Sequence, residues 1–266
     1  MAHRVNRGEP MATIANDAGE TGRAESFWPV TAVLMALVQV AGFSTSIVMK
    51  RSSFGAPLYV HVHAFLFFGW VWLYVLQSFL AERHGMRLHR RLGWLSIVWI
   101  PAMVVMGFVI SIESVRLDRV PFFFQPLYFL VMDPMTVLTF AGLASAAIAL
   151  RRRTQWHRRL MLCGMAVLTA TGFGRLLPMP LLIPWAGIAA LGATLVFPIA
   201  GMMRDVRRAG RVHPAWLWGV GALIGGQLLV SAIIHSPVGA SLYSVATAGS
   251  RGAAVAPMAY PPFPGR

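Results

Sequence analysis

Residues 57–80 read PLYVHVHAFLFFGWVWLYVLQSFL. The stretch contains no Asp, Glu, Lys or Arg. A helix rises about 1.5 Å per residue, so it can cross a hydrocarbon core roughly 30 Å thick. Yet it holds two histidines, His61 and His63. Ionisable groups inside spans usually face a bundle interior or a water-filled path. Positions i and i+2 on a helix point about 200° apart, so the two rings cannot grip one ion from a regular helix. His61 shares a face with Phe65, Phe68 and Trp72, which points it to the headgroup region or a neighbouring helix. His63 shares the more polar face with Trp70, Tyr74 and Gln77, so it is the better candidate for the interior.

Similar apolar runs recur at about 27–49, 92–112, 126–150, 160–177, 181–203 and 215–235. With 58–80 they predict an all-α polytopic transmembrane helix bundle of about seven spans. The 57% hydrophobic content agrees, and the short alternating strands of a transmembrane barrel do not occur. The fifth and sixth runs are joined by LPMPLLIP, whose Pro178, Pro180 and Pro184 stop a helix. The 27–235 bundle is flanked by a polar 1–26 segment and a 236–266 tail rich in Gly, Ala, Pro and Ser, both expected to be disordered. The 1–26 segment is of mixed charge and unlike a signal peptide, and Met11 offers a second candidate start.

The net charge of +14 would suggest nucleic acid in a soluble domain, but here the arginines sit in short loops between apolar runs. The N-terminal segment and the loops near 83–91, 151–159 and 204–211 hold sixteen of the 23 basic residues. The positive-inside rule then places the N-terminus in the cytoplasm and the C-terminus outside, with the lipid bilayer as partner and no role for nucleic acid. The cytoplasmic histidines His84, His89, His157 and His213 are expected to belong to solvated anchoring loops. Cys163 is the sole cysteine, so there is no internal disulfide and no CxxC motif. PLY at 57–59 precedes HRRL at 89–92, and PLY at 126–128 precedes HRRL at 157–160. Either this is a parallel internal repeat or HRRL is simply a good interfacial anchor.

Helical rise converts position into depth. His61, His63, Asp133, Arg175 and His235 each lie roughly 22–30 Å from the basic end of their own span. Five such groups at one level predict a shared polar layer near the outer face. Gln227, Ser231 and His235 follow at helical spacing and form a polar stripe that should face protein. Opposite charge and similar depth make an Asp133–Arg175 ion pair the natural expectation, which would either serve a site or only hold helices in place.

Three chemistries suit this layer. The first is a b-type haem or a metal, held by His63 (or His61) and His235 with Arg175 on a propionate, in a redox-type protein serving a redox partner or quinone. The second is a small-solute or proton-coupled transporter using Asp133, His63 and Arg175, with Gln77 and Gln227 as further polar groups. The third is a non-haem enzyme on lipid or quinone, for which HExxH, HxxxH and GxSxG motifs are all lacking. A structural or regulatory membrane subunit is a further alternative.

The pattern HVHA, FFGW, LQ and LHRRLG across 61–93, with WHRRLML and GRL in 156–176, resembles a family of uncharacterised bacterial multi-pass membrane proteins. The likeness covers spans two to five. It implies a bacterial inner-membrane location and singles out His61, His63, Gln77, His89, Arg90, Arg91, His157, Arg158, Arg159 and Arg175. That family has no assigned activity, so the resemblance implies topology rather than chemistry.

Overall fold

The computed structural model describes residues 26–50, 55–83 and 85–262, and every described element is a helix. The expected disordered segment 1–26 therefore lies almost wholly outside the described residues, as does His84. α1 (Phe27–Val48) buries Trp28, Ala32, Met35, Gln39, Gly42 and Ser46, one residue every three or four, while Val30, Leu34 and Leu37 face outward. That stripe is the mark of a helix with one protein-facing and one lipid-facing side. α2 (Leu58–Glu82) buries Trp70, Val71 and Tyr74 and exposes Phe65, Trp72 and Leu76. A short α3 (Met86–Gly93) leads to α4 (Ser96–Arg116), whose buried stripe is Ile100, Met103, Gly107, Ser111 and Val115. α5 (Pro126–Ala149) stays one helix through Pro134.

The next segment is not a single apolar helix. α6 (Thr154–Leu168) and α7 (Ala170–Leu176) are separated at Thr169. The Thr169 hydroxyl donates to the Ala166 carbonyl at 2.6 Å. Thr171 Oγ1 and the Gln39 side-chain amide both donate to the Leu168 carbonyl, at 3.1 and 3.2 Å. An interruption inside an apolar bundle is tolerable because these groups satisfy the backbone oxygens it disturbs. The prolines after α7 give a 3₁₀ turn at Met179–Leu182, followed by α8 (Ala186–Thr194), α9 (Val196–Ala209) and α10 (Pro214–Ile234).

Six helices are long and apolar enough to cross a membrane: α1, α2, α4, α5, the pair α8–α9 over Ala186–Ala209, and α10. The chain is thus an integral membrane protein by length and composition of its helices. The fifth expected span falls short of that criterion because Thr169 divides it and its first turns carry Gln155, His157, Arg158 and Arg159. Even so, α6 is the centre of the bundle. It packs on α5, α9 and α10 and touches α1, and nearly every residue from Arg159 to Leu168 is buried. A helix covered all round belongs in a core.

The helix ends sort into two groups. At one end Trp28 stacks on Trp216, His89 meets His157 and Trp156 meets His213. At the other end Met179 and Ala186 pack with Phe123 and Phe124. The segment after 236 joins this second end. Its composition predicts disorder, but it folds as α11 (Pro237–Thr247) and a 3₁₀ turn, Arg251–Ala254. Arg116 Nη1 donates to the Ala246 carbonyl at 2.9 Å, and Gln125 Nε2 to that of Met258 at 2.7 Å. A Cβ at Gly252 would stand 2.0 Å from the Val115 carbonyl oxygen, so only glycine permits that approach. The small residues that suggest disorder are those that let the segment lie flat on α4. Tyr243 is buried against this surface, its hydroxyl 3.1 Å from the Gly252 carbonyl and 3.4 Å from that of Val255. Tyr243→Phe should cost about 1 kcal/mol and speed tryptic cleavage at Arg251; unchanged cleavage would disprove this anchoring role.

Candidate functional site

His63 is half-buried on α2 and its ring stacks on Phe67, centres 4.2 Å apart. Its Nδ1 is buried without a hydrogen-bond partner among the described residues. The Met106 backbone of α4 and the Arg175 guanidinium of α7 are its polar neighbours. Arg175 Nη1 donates to the Thr171 carbonyl at 2.7 Å, and its guanidinium carbon lies 3.8 Å from the centre of the Phe43 ring. A desolvated cation over an aromatic face is held by about 2 kcal/mol. Asp133 on α5 accepts a hydrogen bond from Ser111 of α4 at 2.7 Å. The charges of Asp133 and Arg175 act on one another, but no direct ion pair joins them among the described residues. The expected pair is thus corrected to a separated one. Phe43 and Thr171 hold the guanidinium, and Ser111 holds the carboxylate.

Four helices therefore bring His63, Ser111, Asp133 and Arg175 into one neighbourhood within the bundle. Other members of the expected layer lie elsewhere. His61 is exposed, as its helical face implies. His235 is exposed at the end of α10, with Nδ1 2.8 Å from the Ser231 carbonyl. It is not opposite His63: α2 packs on α1, α3 and α4, whereas α10 packs on α5, α6, α9 and α11. The two histidines expected as a ligand pair thus sit on helices that share no broad contact. Among the described residues no group of three or more His, Cys, Asp or Glu side chains is placed to hold a metal ion. Gln227 pairs with the Tyr128 hydroxyl at 3.2 Å and ties α10 to α5. Gln77 lies at the basic end of α2, where its Nε2 donates to the His89 carbonyl at 3.1 Å.

At the basic end the arginines are not merely solvated anchors. Arg159 Nε and Nη2 donate to the two carboxylate oxygens of Asp205 at 2.8 and 2.7 Å, and the Trp216 indole N–H adds a third bond at 2.8 Å. Arg159, Asp205 and Trp216 are 5%, 4% and 0% exposed. The Arg158 guanidinium stands over Trp28 at 4.7 Å. This knot joins α1, α6, α9 and α10. Charge counting by loops missed it; its one signal in the sequence is that Asp205 is the sole carboxylate after Asp133.

The two HRRL copies also do equivalent work. His89 Nδ1 lies 3.3 Å from the Gln77 carbonyl near the end of α2. His157 Nδ1 lies 2.8 Å from the Ala147 carbonyl near the end of α5. Each histidine bonds a backbone carbonyl in the final part of the preceding long helix and so ties its own segment to that helix. Both are half-buried rather than solvated. Burial holds His89 below the usual histidine value; the Gln77 carbonyl opposes this, and the charges of His157 and Arg90 add to it. No family model, characterised protein or solved structure matches this chain.

Proposed function

We propose that this protein is a proton-coupled membrane transporter that conducts protons through an intramembrane site formed by His63, Asp133 and Arg175. The observation that carries this is the meeting of three ionisable side chains from α2, α5 and α7, one with an unbonded imidazole nitrogen. An imidazole with a spare nitrogen has a place to accept a proton and pass it on. The site belongs to a seven-crossing bundle in a bacterial inner membrane, with α6 and α7 as the fifth crossing. The chain leaves α5 at the basic end and enters α8 at the opposite end, which supports that crossing. The excess of arginine at the basic end supports a cytoplasmic N-terminus and an outer C-terminus.

Haem ligation by two imidazoles would need His63 and a second histidine to face one space, and the helices of His63 and His235 share no broad contact. The proton-coupled role therefore has the better support. The test uses the full chain in liposomes containing a pH-sensitive dye, with an imposed membrane potential. Proton entry above the empty-vesicle rate is expected, and His63→Gln and Asp133→Asn should each return it to that rate. Flux equal to empty vesicles, or unaffected by both substitutions, would overturn the proposal. A Soret band in the purified protein, lost in His63→Gln, would instead restore the haem assignment.

A further inference from the structure

We propose that His89 and His157 together form a two-imidazole site for a cuprous ion at the basic end of the bundle. A carbonyl can only accept a hydrogen bond, so each Nδ1 that bonds one carries its proton. In the neutral ring that leaves Nε2 with a lone pair. Among the described residues no hydrogen bond occupies Nε2 of either ring. Metal-binding histidines are commonly arranged this way, one nitrogen on the ion and the other donating to a backbone carbonyl that fixes the ring.

The ring spacing agrees with this. The two ring centres are 6.2 Å apart. A ring nitrogen sits about 1.1 Å from its ring centre and a metal–imidazole bond is about 2.0 Å, so an ion held in line between two imidazoles separates the centres by roughly 6 Å. In-line coordination sets no relation between the ring planes, so the 88° between them is no obstacle.

Charge and ligand number select the ion. Arg90 acts on His89, and Arg91 and Arg158 follow the two histidines closely in sequence. These cations repel a divalent ion twice as strongly as a monovalent one. Zinc would need further ligands, and no third His, Cys, Asp or Glu joins the pair among the described residues. Copper accepts imidazole, and its monovalent state is content with two ligands. The site is separate from His63, Asp133 and Arg175 and does not depend on the function proposed for them.

The test is an anaerobic titration of the detergent-solubilised full chain with Cu⁺ against a chromophoric cuprous chelator. The chain should withdraw one equivalent. His89→Asn and His157→Asn should each weaken binding by roughly 100-fold or more, at least the upper range seen when a supporting partner is lost. An asparagine amide can stand where Nδ1 stands, so both variants keep the carbonyl bond and should melt like the parent without metal. His61→Ala and His235→Ala should bind as the parent does. Failure to compete with the chelator, or Asn variants that bind normally, would overturn the proposal. So would zinc binding that needs both histidines when Cu⁺ binding does not.

Discussion

Asp205→Ala is expected to destabilise the folded bundle by about 3–5 kcal/mol, the usual result of removing one partner of a buried ion pair. Four side-chain donors converge on this carboxylate: Nε and Nη2 of Arg159, the Trp216 indole and, at 3.5 Å, Nη1 of Arg204. Truncation leaves the Arg159 guanidinium buried with only its Gln155 hydrogen bonds, at 2.9 Å to the carbonyl and 2.5 Å to the side-chain oxygen, and its place over the Trp28 and Trp216 rings. The loss should reach α1 as well, because Trp28 stacks on Trp216 with ring centres 6.2 Å apart. Unfolding in a graded SDS–detergent mixture, followed by tryptophan fluorescence, measures the change. Asp205→Asn should lose less, since an amide oxygen still accepts the indole N–H. The double replacement Arg159→Met with Asp205→Leu should recover part of the loss, because it removes the stranded charge as well as the pair. An Asp205→Ala protein within about 1 kcal/mol of the parent would show the pair to be incidental.

Gly42→Ala is the second large effect, expected to cost about 3 kcal/mol, at the upper end of overpacking changes. A Cβ at Gly42 would stand 2.5 Å from the Gly172 carbonyl oxygen and 2.9 Å from its Cα. Both are backbone atoms, so no rotamer can yield and α1 must move away from α7. That movement would draw Phe43 off the Arg175 guanidinium and Gln39 off the Leu168 carbonyl. Proton flux should therefore fall along with stability. Close approach through small residues is a general means of joining helices in lipid, where hydrophobic attraction between them is weak. Gly142→Ala is the control. It is exposed on α5, and a Cβ there meets nothing within 4 Å, so it should change stability by less than about 1 kcal/mol. The same SDS unfolding measurement decides both, and a silent Gly42→Ala would mean that α1 and α7 do not need this contact.

Much of the site was legible in the sequence because the relevant physics is local. Helical geometry alone directs His61 outward and His63 inward, and it groups His63 with Trp70 and Tyr74, which are buried. Depth along a helix likewise puts Asp133 and Arg175 at the level of His63. Depth, however, says nothing of direction around the bundle. His235 has the right height but lies on α10, away from α2. Gln77 shares the face of His63 but stands four turns along the same helix, at the other end. The Arg159–Asp205 bond joins positions 46 residues apart, and nothing in either local stretch announces it.

By itself, the sequence determined that this chain is a bundle of apolar helices, which side chains each helix turns inward, and how deep each polar group lies. These follow from the free energy of removing apolar surface from water and from the fixed rise and turn of the helix. Only the tertiary structure decided which deep polar groups meet, that the tail folds on α4 and α5, that α6 is the central helix, and that the two HRRL histidines touch. Those outcomes depend on which helix faces pack together. That choice rests on close contacts such as Gly42 on Gly172 and Gly252 on Val115, whose two halves lie far apart in the chain.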